Sequence, residues 1–474
     1  MGIVLIWLVG VALFLGVARG AEPVAETALE TRRPNVILIS MDTTRADALS
    51  CYGQPADIQR ALPPVTPNLD RLAESGLRFE HFYAHAPTTL SSHTSMLTGL
   101  DPHQHGVPRN GFPLPPAVPT LAERLKAAGY QTVGIIGASA LDGEMGLSRG
   151  FDVWDDQLDH KVAVQFEDRA GGVVDRALAR VAKVDADAPL FLFVHVFDPH
   201  APYAAPEPFR TRFVDPRYAG GALTDGFDRA TALRDLRKGA LDPAERDAAA
   251  SLYLGEVAYA DHELGRLLDR LDQQGFLDHS LVVVTADHGE VLGESPQFGW
   301  SHGRDVTEGA VRVPLIVAGR GIALAAPGPI QRQAGMASLA PTIERLVGLP
   351  RPLGTAPDLW DLLRPGPVWD QDGWPARPTR AVLHEATAPH QARSDGRWNN
   401  LGLERGAHAS GTHVRRTRAR RWVVEAGAEG LLPVLQDALR SWDAAAPPFR
   451  SETLSSHTRQ ALEALGYLEP EDPQ

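Results

Sequence analysis

Three apolar runs, each too short for a core helix and each ending on carboxylate or imidazole side chains, most constrain how this chain can fold. They are "VILIS" (36–40), "FLFVHVF" (191–197) and "LVVVTA" (281–286). Immediately after them come Met41-Asp42, Asp198-Pro199-His200 and Asp287-His288. A continuous run without polar alternation is the pattern of a strand covered on both faces, which is how strands of a parallel sheet lie. "YQTVGIIG" (130–137) and "VPLIVAG" (313–319) read as two more strands. Helical patterns with start and stop signals separate them: Thr66-Pro67 to Gly76, "TLAERLKAAG" (120–129), a long stretch from Pro243 to about Gln274, and "SLAPTIERLVG" (338–348). Strands alternating with helices predict an α/β fold with a mostly parallel sheet flanked by helices. Ligands of such sheets collect beyond the carboxyl ends of the strands. The acids and imidazoles named above all arrive at that edge.

At 474 residues the chain exceeds one minimal core, and its character changes near residue 365. The expected layout is a main domain over 33–365 and a small C-terminal α+β subdomain over 366–474. In the latter, "RWVVEAG" (421–427) reads as the edge strand of a small antiparallel sheet and "ETLSSHTRQALEALGYLEP" (452–470) as a capped helix. The apolar run from Ile3 to Val17, followed by Ala18-Arg19-Gly20, reads as a signal peptide or an N-terminal anchor over 1–20. The protein is therefore expected to be exported, periplasmic or extracellular, with a membrane as partner only if the leader stays uncleaved. Cys51 is the single cysteine, so no internal disulfide framework is available. A net charge of −13, from 46 basic and 59 acidic residues, argues against nucleic acid as a partner.

Asp42, Asp287 and His288 offer two carboxylates and an imidazole. That mixed donor set suits Zn²⁺ or Mn²⁺ better than Ca²⁺, which prefers oxygen alone. On the residues alone, helix capping is the other reading. The string "APTTLSSHTSMLTGL" (86–100) crowds hydroxyls behind Pro87, which marks a helix start with Thr89 in or next to its first turn. A helix N-terminus favours an oxyanion, a phosphate or a sulfate. A Thr hydroxyl beside a metal ion can be ionised to a nucleophile, and a plain capping motif is again the alternative.

The chain resembles the sulfatase family of the alkaline-phosphatase superfamily over roughly residues 33–350. The strings that carry the resemblance are "RPNVILISMDTTRAD", "TPNLDRLAESGLRFEHFYA", "SSHTSMLTGLDPHQHGV", "LFVHVFDPHAPY", "VVVTADHGEVLGE" and "HGRDVTEGAVRVPLIV", in the family's order and spacing. The resemblance implies an alkaline-phosphatase/sulfatase-like fold and a metal held by Asp42, Asp287 and His288. It places Thr89 at the nucleophile position, itself a metal ligand, and His200 on the histidine that meets the substrate anion. His302 falls on the "HG" histidine of phosphoethanolamine- and glycerophosphate-transferring relatives. His195, five residues before His200, resembles the paired histidines of those relatives and is expected to contact substrate, orient His200 or join a second metal, with a structural role at the strand end as the alternative. Arg304 replaces a lysine of many sulfatases and is expected to bind substrate; His93, in the position of the sulfatase arginine, is expected to contact the nucleophile or substrate, with a packing role as the alternative.

The departures from the family pattern matter as much. Sulfatases make formylglycine from Cys or Ser in a C/S-x-P/A-x-R string. Here Thr89-Leu90-Ser91-Ser92-His93 stands in its place, and Thr43 replaces the second N-terminal metal Asp. Both changes imply a Thr alkoxide on one divalent metal, Zn or Mn favoured over Ca, with a second metal open. The expected activity is cleavage or transfer of phosphate-type esters, with a true sulfuric ester hydrolase and a non-catalytic anion- or glycan-binding protein as alternatives. The expected partner is an anionic ester: a small molecule, a glycan or a lipid head group.

Overall fold

The computed structural model describes residues 33–365 apart from 54–57, 59, 159–166, 225, 226, 298, 305 and 351, then four strands between 382 and 426 and residue 433. The expected leader over 1–20 and the expected helix over 452–470 lie outside the described residues. So do residues 366–381, just beyond the boundary expected near 365.

The sequence alternation of strand and helix becomes an eight-stranded sheet. Its strands are β1 (Asn35–Met41), β2 (Leu77–Phe79), β3 (Gln131–Ile135), β4 (Val153–Asp155), β5 (Leu190–Val196), β6 (Ser280–Ala286), β7 (Leu315–Arg320) and β8 (Gly328–Ile330). In space they run β8-β2-β7-β6-β1-β5-β3-β4. Every strand is parallel to the others except β7, which pairs antiparallel with both β6 and β2. The three runs that end on acids and histidines are β6, β1 and β5, the adjacent centre of the sheet. Their carboxyl ends therefore lie side by side.

Seven helices matter for the site: α1 (Pro67–Ser75), α2 (Thr89–Thr98), α3 (Leu121–Ala127), α4 (Ala170–Val181), α5 (Arg229–Arg237), α6 (Pro243–Gln273) and α7 (Leu339–Leu346). Thr120 and Glu123 form a reciprocal capping box at the start of α3. Because strand side chains alternate with period two, the buried core separates into two halves. Ile37, Ile39, Met41, Leu192, Val194, Val282 and Val284 pack with residues of α1, α4 and α6. Val36, Leu38, Phe191, Phe193, Leu281 and Val283 pack with residues of α2, α3 and α7. That parity decides the site. Ser40 and Asp42 follow Val36 and Leu38, His195 follows Phe191 and Phe193, and Asp287 follows Leu281 and Val283, so all four are directed to the face that α2 covers.

Beyond the main sheet, four strands, β9 (Val382–Ala386), β10 (Glu404–Ala409), β11 (Thr412–Arg416) and β12 (Trp422–Ala426), form an antiparallel meander. The strand read from "RWVVEAG" is its edge. Among the described residues no helix is long and apolar enough to cross a membrane.

Candidate functional site

Asp42 leaves the end of β1 into a tight reversal. Thr43 takes a left-handed backbone with φ of 49°, uncommon for a β-branched residue. Two groups hold it there: its N–H donates to Asp287 Oδ1 at 3.2 Å, and Tyr253 Oη donates to its carbonyl at 2.9 Å. The neighbouring strand β6 delivers Asp287 and His288. Gly289 follows, where an added Cβ would lie 2.0 Å from the Gly309 carbonyl oxygen, so only glycine permits this chain crossing. Helix α2 then brings Thr89 over the same point, with Thr89 Oγ1 3.4 Å from Asp42 Oδ2. The first free N–H groups of α2 are partly answered by Asn110, whose Oδ1 accepts from Leu90 N at 2.7 Å.

Ligand atoms of Asp42, Asp287 and His288 all lie within 4.8 Å of one another. Each of these side chains is fully buried. Asp287 Oδ1 accepts from the N–H groups of Thr43 and His288, the latter at 2.7 Å. The Nδ1 of His288 faces the Gly289 carbonyl at 3.0 Å, which makes Nδ1 the protonated nitrogen. What remains is Asp42 Oδ1, Asp287 Oδ2 and His288 Nε2, three buried acceptor atoms with no hydrogen-bond partner. Orphaned buried polar atoms require an explanation, and three converging acceptors of mixed O/N character fit a divalent cation. The electrostatics agree. Burial pushes Asp42 up to about 7. It raises Asp287 as well, helped by the Asp42 charge. Burial opposes the His288 imidazolium, yet the Asp287 and Asp42 carboxylates overcome it and leave its pKa raised. A cation relieves all three strains.

Of the roles open to His93 and His195, the structure gives both the supporting one and not the expected contact with substrate. Both are fully buried behind the metal ligands. His195 Nδ1 accepts from Gly137 N at 3.4 Å, so its Nε2–H donates to Asp42 Oδ2 at 3.1 Å. His93 Nδ1–H donates to the Thr89 carbonyl at 2.8 Å, and its Nε2 accepts from Ser40 Oγ at 2.9 Å. The two rings meet edge to face at 4.9 Å. With both nitrogens of each ring engaged, neither reaches a ligand, and burial holds them neutral, His93 down at about 3 and His195 at about 4. They form the backing of the site. Ligand atoms of His93, His195 and Asp287 also cluster, but those hydrogen bonds occupy the histidines and leave a second metal there without support. Asp198, the remaining strand-end acid, accepts from Ala170 N at 2.6 Å and caps α4.

His200 and His302 do stand together on the open side. Their rings are 4.8 Å apart, and His302 lies 4.7 Å from His288. The His200 ring stacks on Phe197 at 4.3 Å. Gly303 approaches Thr88, so the 302–304 segment covers the start of α2. Arg304 is exposed at this rim. Arg45, in contrast, is committed to Asp47 at 2.8 Å and to Glu294.

One group escaped the sequence reading. Glu290 is fully buried, with both carboxylate oxygens 3.4 Å from His302 Nδ1. It stands in the "DHGE" string two residues after His288, so the motif itself held the signal.

Comparison with known proteins agrees with this architecture. The family model described as Sulfatase matches residues 34–349. The N-acetylglucosamine-6-O-sulfatase of Bacteroides thetaiotaomicron is 28% identical over 382 residues, covering 64% of this chain and 65% of that protein. The phosphonate monoester hydrolase of Agrobacterium radiobacter superposes with a TM-score of 0.65 at 20% identity, covering 88% of this chain and 96% of that one. A protein solved in complex with its substrate D-glucosamine-2-N,6-O-disulfate superposes with a TM-score of 0.66, also at 20% identity, covering 89% of this chain and 100% of that one.

Proposed function

The chain belongs to the sulfatase family, and on that premise we propose that it is a metal-dependent hydrolase of anionic esters, with the Thr89 hydroxyl as nucleophile and phosphate- or phosphonate-type esters as substrates. The observation that carries this reading is the set of three orphaned acceptors, Asp42 Oδ1, Asp287 Oδ2 and His288 Nε2, beside Thr89 Oγ1. A divalent ion bound there, Zn²⁺ or Mn²⁺ by its donor set, supplies Lewis-acid charge stabilisation and lowers the pKa of an adjacent hydroxyl.

The chain's own groups do the rest. His195 and Ser40-His93 fix the second oxygen of Asp42 and the Thr89 backbone, so the alcohol is aimed before substrate arrives. The Thr89 oxygen bonds to phosphorus or sulfur as the bond to the leaving alkoxide breaks, and water later cleaves the phosphoryl or sulfuryl group from Thr89 and restores its alcohol. His200 and the N-terminal turn of α2 face the developing negative charge. His302, whose Nδ1 faces Glu290, takes the Thr89 proton on Nε2, passes it to the leaving oxygen and then serves as the base for water. The formylglycine route has no residue to start from, because position 89 is neither Cys nor Ser.

The named sulfatase relative supports a second reading, cleavage of sulfate esters by this same Thr. The apolar run at 3–17 supports action outside the cytoplasm. A panel of 4-nitrophenyl phosphate, bis(4-nitrophenyl) phosphate, a phenylphosphonate monoester and 4-nitrophenyl sulfate, each with Zn²⁺, Mn²⁺ and Ca²⁺, tests the proposal. Turnover of the phosphorus esters with Zn²⁺ or Mn²⁺ is expected. Turnover of the sulfate ester alone, or with Ca²⁺ alone, would overturn it.

A further inference from the structure

Helix α6 packs on the face of the sheet opposite α2, yet one of its side chains reaches the turn that carries Asp42. Tyr253 is fully buried in that half of the core. Its Oη donates to the Thr43 carbonyl at 2.9 Å and accepts from Arg45 N at 3.0 Å. A phenol has one proton to give and lone pairs to receive, so a single group closes both sides of the turn from Thr43 to Arg45. The ring is packed in turn against Tyr203, edge to face with centroids 5.6 Å apart.

Thr43 is what requires the brace. Among the described residues it is the one non-glycine with positive φ, and a β-branched side chain suits the left-handed region poorly. Its own hydroxyl does not offset the strain, because Oγ1 is buried without a hydrogen-bond partner. Backbone of this kind persists only where its surroundings over-determine it, and it collects at functional sites. Here the turned backbone aims the Thr43 N–H at Asp287 Oδ1, 3.2 Å away. That bond joins the exit of β1 to the exit of β6, the strands that supply Asp42 and Asp287. Thr44 Oγ1 adds a bond back to the Asp42 carbonyl at 3.1 Å. With Asp287 Oδ1 so occupied, Oδ2 is the oxygen left for a cation.

We infer that Tyr253 is a positioning residue of the metal site. Its hydroxyl holds Thr43 in the left-handed conformation, and through the bond from Thr43 to Asp287 it sets the spacing of the two carboxylates before an ion arrives. It touches neither ion nor substrate. The inference rests on the reading of Asp42, Asp287 and His288 as metal ligands. Removing the hydroxyl leaves the Thr43 carbonyl and the Arg45 N–H buried without that partner, and the turn then relaxes toward negative φ, which carries the Thr43 N–H away from Asp287.

The test is the zinc affinity of the full chain, measured by competition with a chelating dye, the site's share being the binding that Asp42→Asn removes. Tyr253→Phe keeps the packed ring and is expected to weaken that affinity about 10–100-fold, the usual cost of losing a group that orients a ligand. Tyr203→Phe removes the hydroxyl of the neighbouring ring, which has no hydrogen-bond partner among the described residues, and is expected to leave the affinity within about twofold. Glycine adopts the left-handed backbone without strain. In a Thr43→Gly background, Tyr253→Phe is therefore expected to cost no more than about threefold. A purely structural tyrosine would lower the thermal midpoint and leave zinc affinity alone, or would cost the same in both backgrounds; either result overturns the inference. If Tyr253→Phe does not fold but the double variant with Thr43→Gly does, and binds zinc within about threefold of Thr43→Gly alone, the brace stands. If neither folds, it falls. If wild type holds no zinc that Asp42→Asn removes, the metal reading itself fails. If it does and Tyr253→Phe matches it, only the positioning role is lost.

Discussion

Replacing Asp42 with Asn separates what the metal site costs the fold from what it contributes to chemistry. Without a cation, Asp42 is a fully buried carboxyl whose Oδ1 has no partner. It titrates near 7 instead of 3.8, so ionising it at alkaline pH costs about 4 kcal/mol at about 1.4 kcal/mol per pH unit. The sign follows from proton uptake. A folded pKa above the unfolded value gives stability that is complete below 3.8 and is lost as pH rises through about 7. Asp287 and His288 are raised too and work in the same direction. Metal-free wild type should therefore be less stable at pH 8 than at pH 5. Asp42→Asn removes its own share of that slope. At pH 8 it gains up to about 4 kcal/mol, less about 1–3 kcal/mol if the new amide hydrogens find no acceptor. Asp287 Oδ2, itself unpartnered, is the acceptor in reach. With zinc the order reverses: a ligand at a thousand times its Kd stabilises wild type by about 4 kcal/mol, and the amide forfeits most of that. Urea unfolding followed by Trp fluorescence, in EDTA and in zinc at pH 5 and pH 8, reads both effects as midpoint shifts. If Asp42→Asn is destabilising to the same degree in all four conditions, Asp42 is a structural cap and the cation argument fails.

Thr89→Ala should lower turnover by at least about 10³-fold while fold and bound metal persist, measured by steady-state kinetics with metal analysis. His195→Ala should weaken zinc affinity about 10–100-fold by freeing Asp42 Oδ2, and His195→Gln should recover part of it, read by competition with a chelating dye. His302→Gln should cost about 10²–10⁴-fold on esters with poor alcohol leaving groups and much less on 4-nitrophenol esters, and Glu290→Gln should follow the same pattern more weakly.

Much of the site was legible because its spacing is local. Met41-Asp42, Asp287-His288 and the hydroxyl string at Thr89 each sit at the end of a strand or the start of a helix, and strand ends in a parallel sheet share one edge. Strand and helix positions came out within a few residues because buried runs and caps are short-range signals. The short strands β2, β4 and β8, three residues each, had no such signal, nor did the reversed direction of β7.

What the chain alone determined was which donors exist and that three of them leave the sheet at the same edge. Only the packed structure decided how they divide their labour. Strand parity turned His195 inward to Asp42, and helix α2 turned His93 onto Ser40, so two imidazoles expected at the substrate became the support behind the metal ligands. The docking of α5 on the loop before His302, through Arg237, and the packing of Phe227 on Trp300 came from a stretch of sequence with no pattern to read. Periodicity reports the face of an element. Which nitrogen of a ring is already spoken for depends on partners up to 153 positions away, and that is set by tertiary contact.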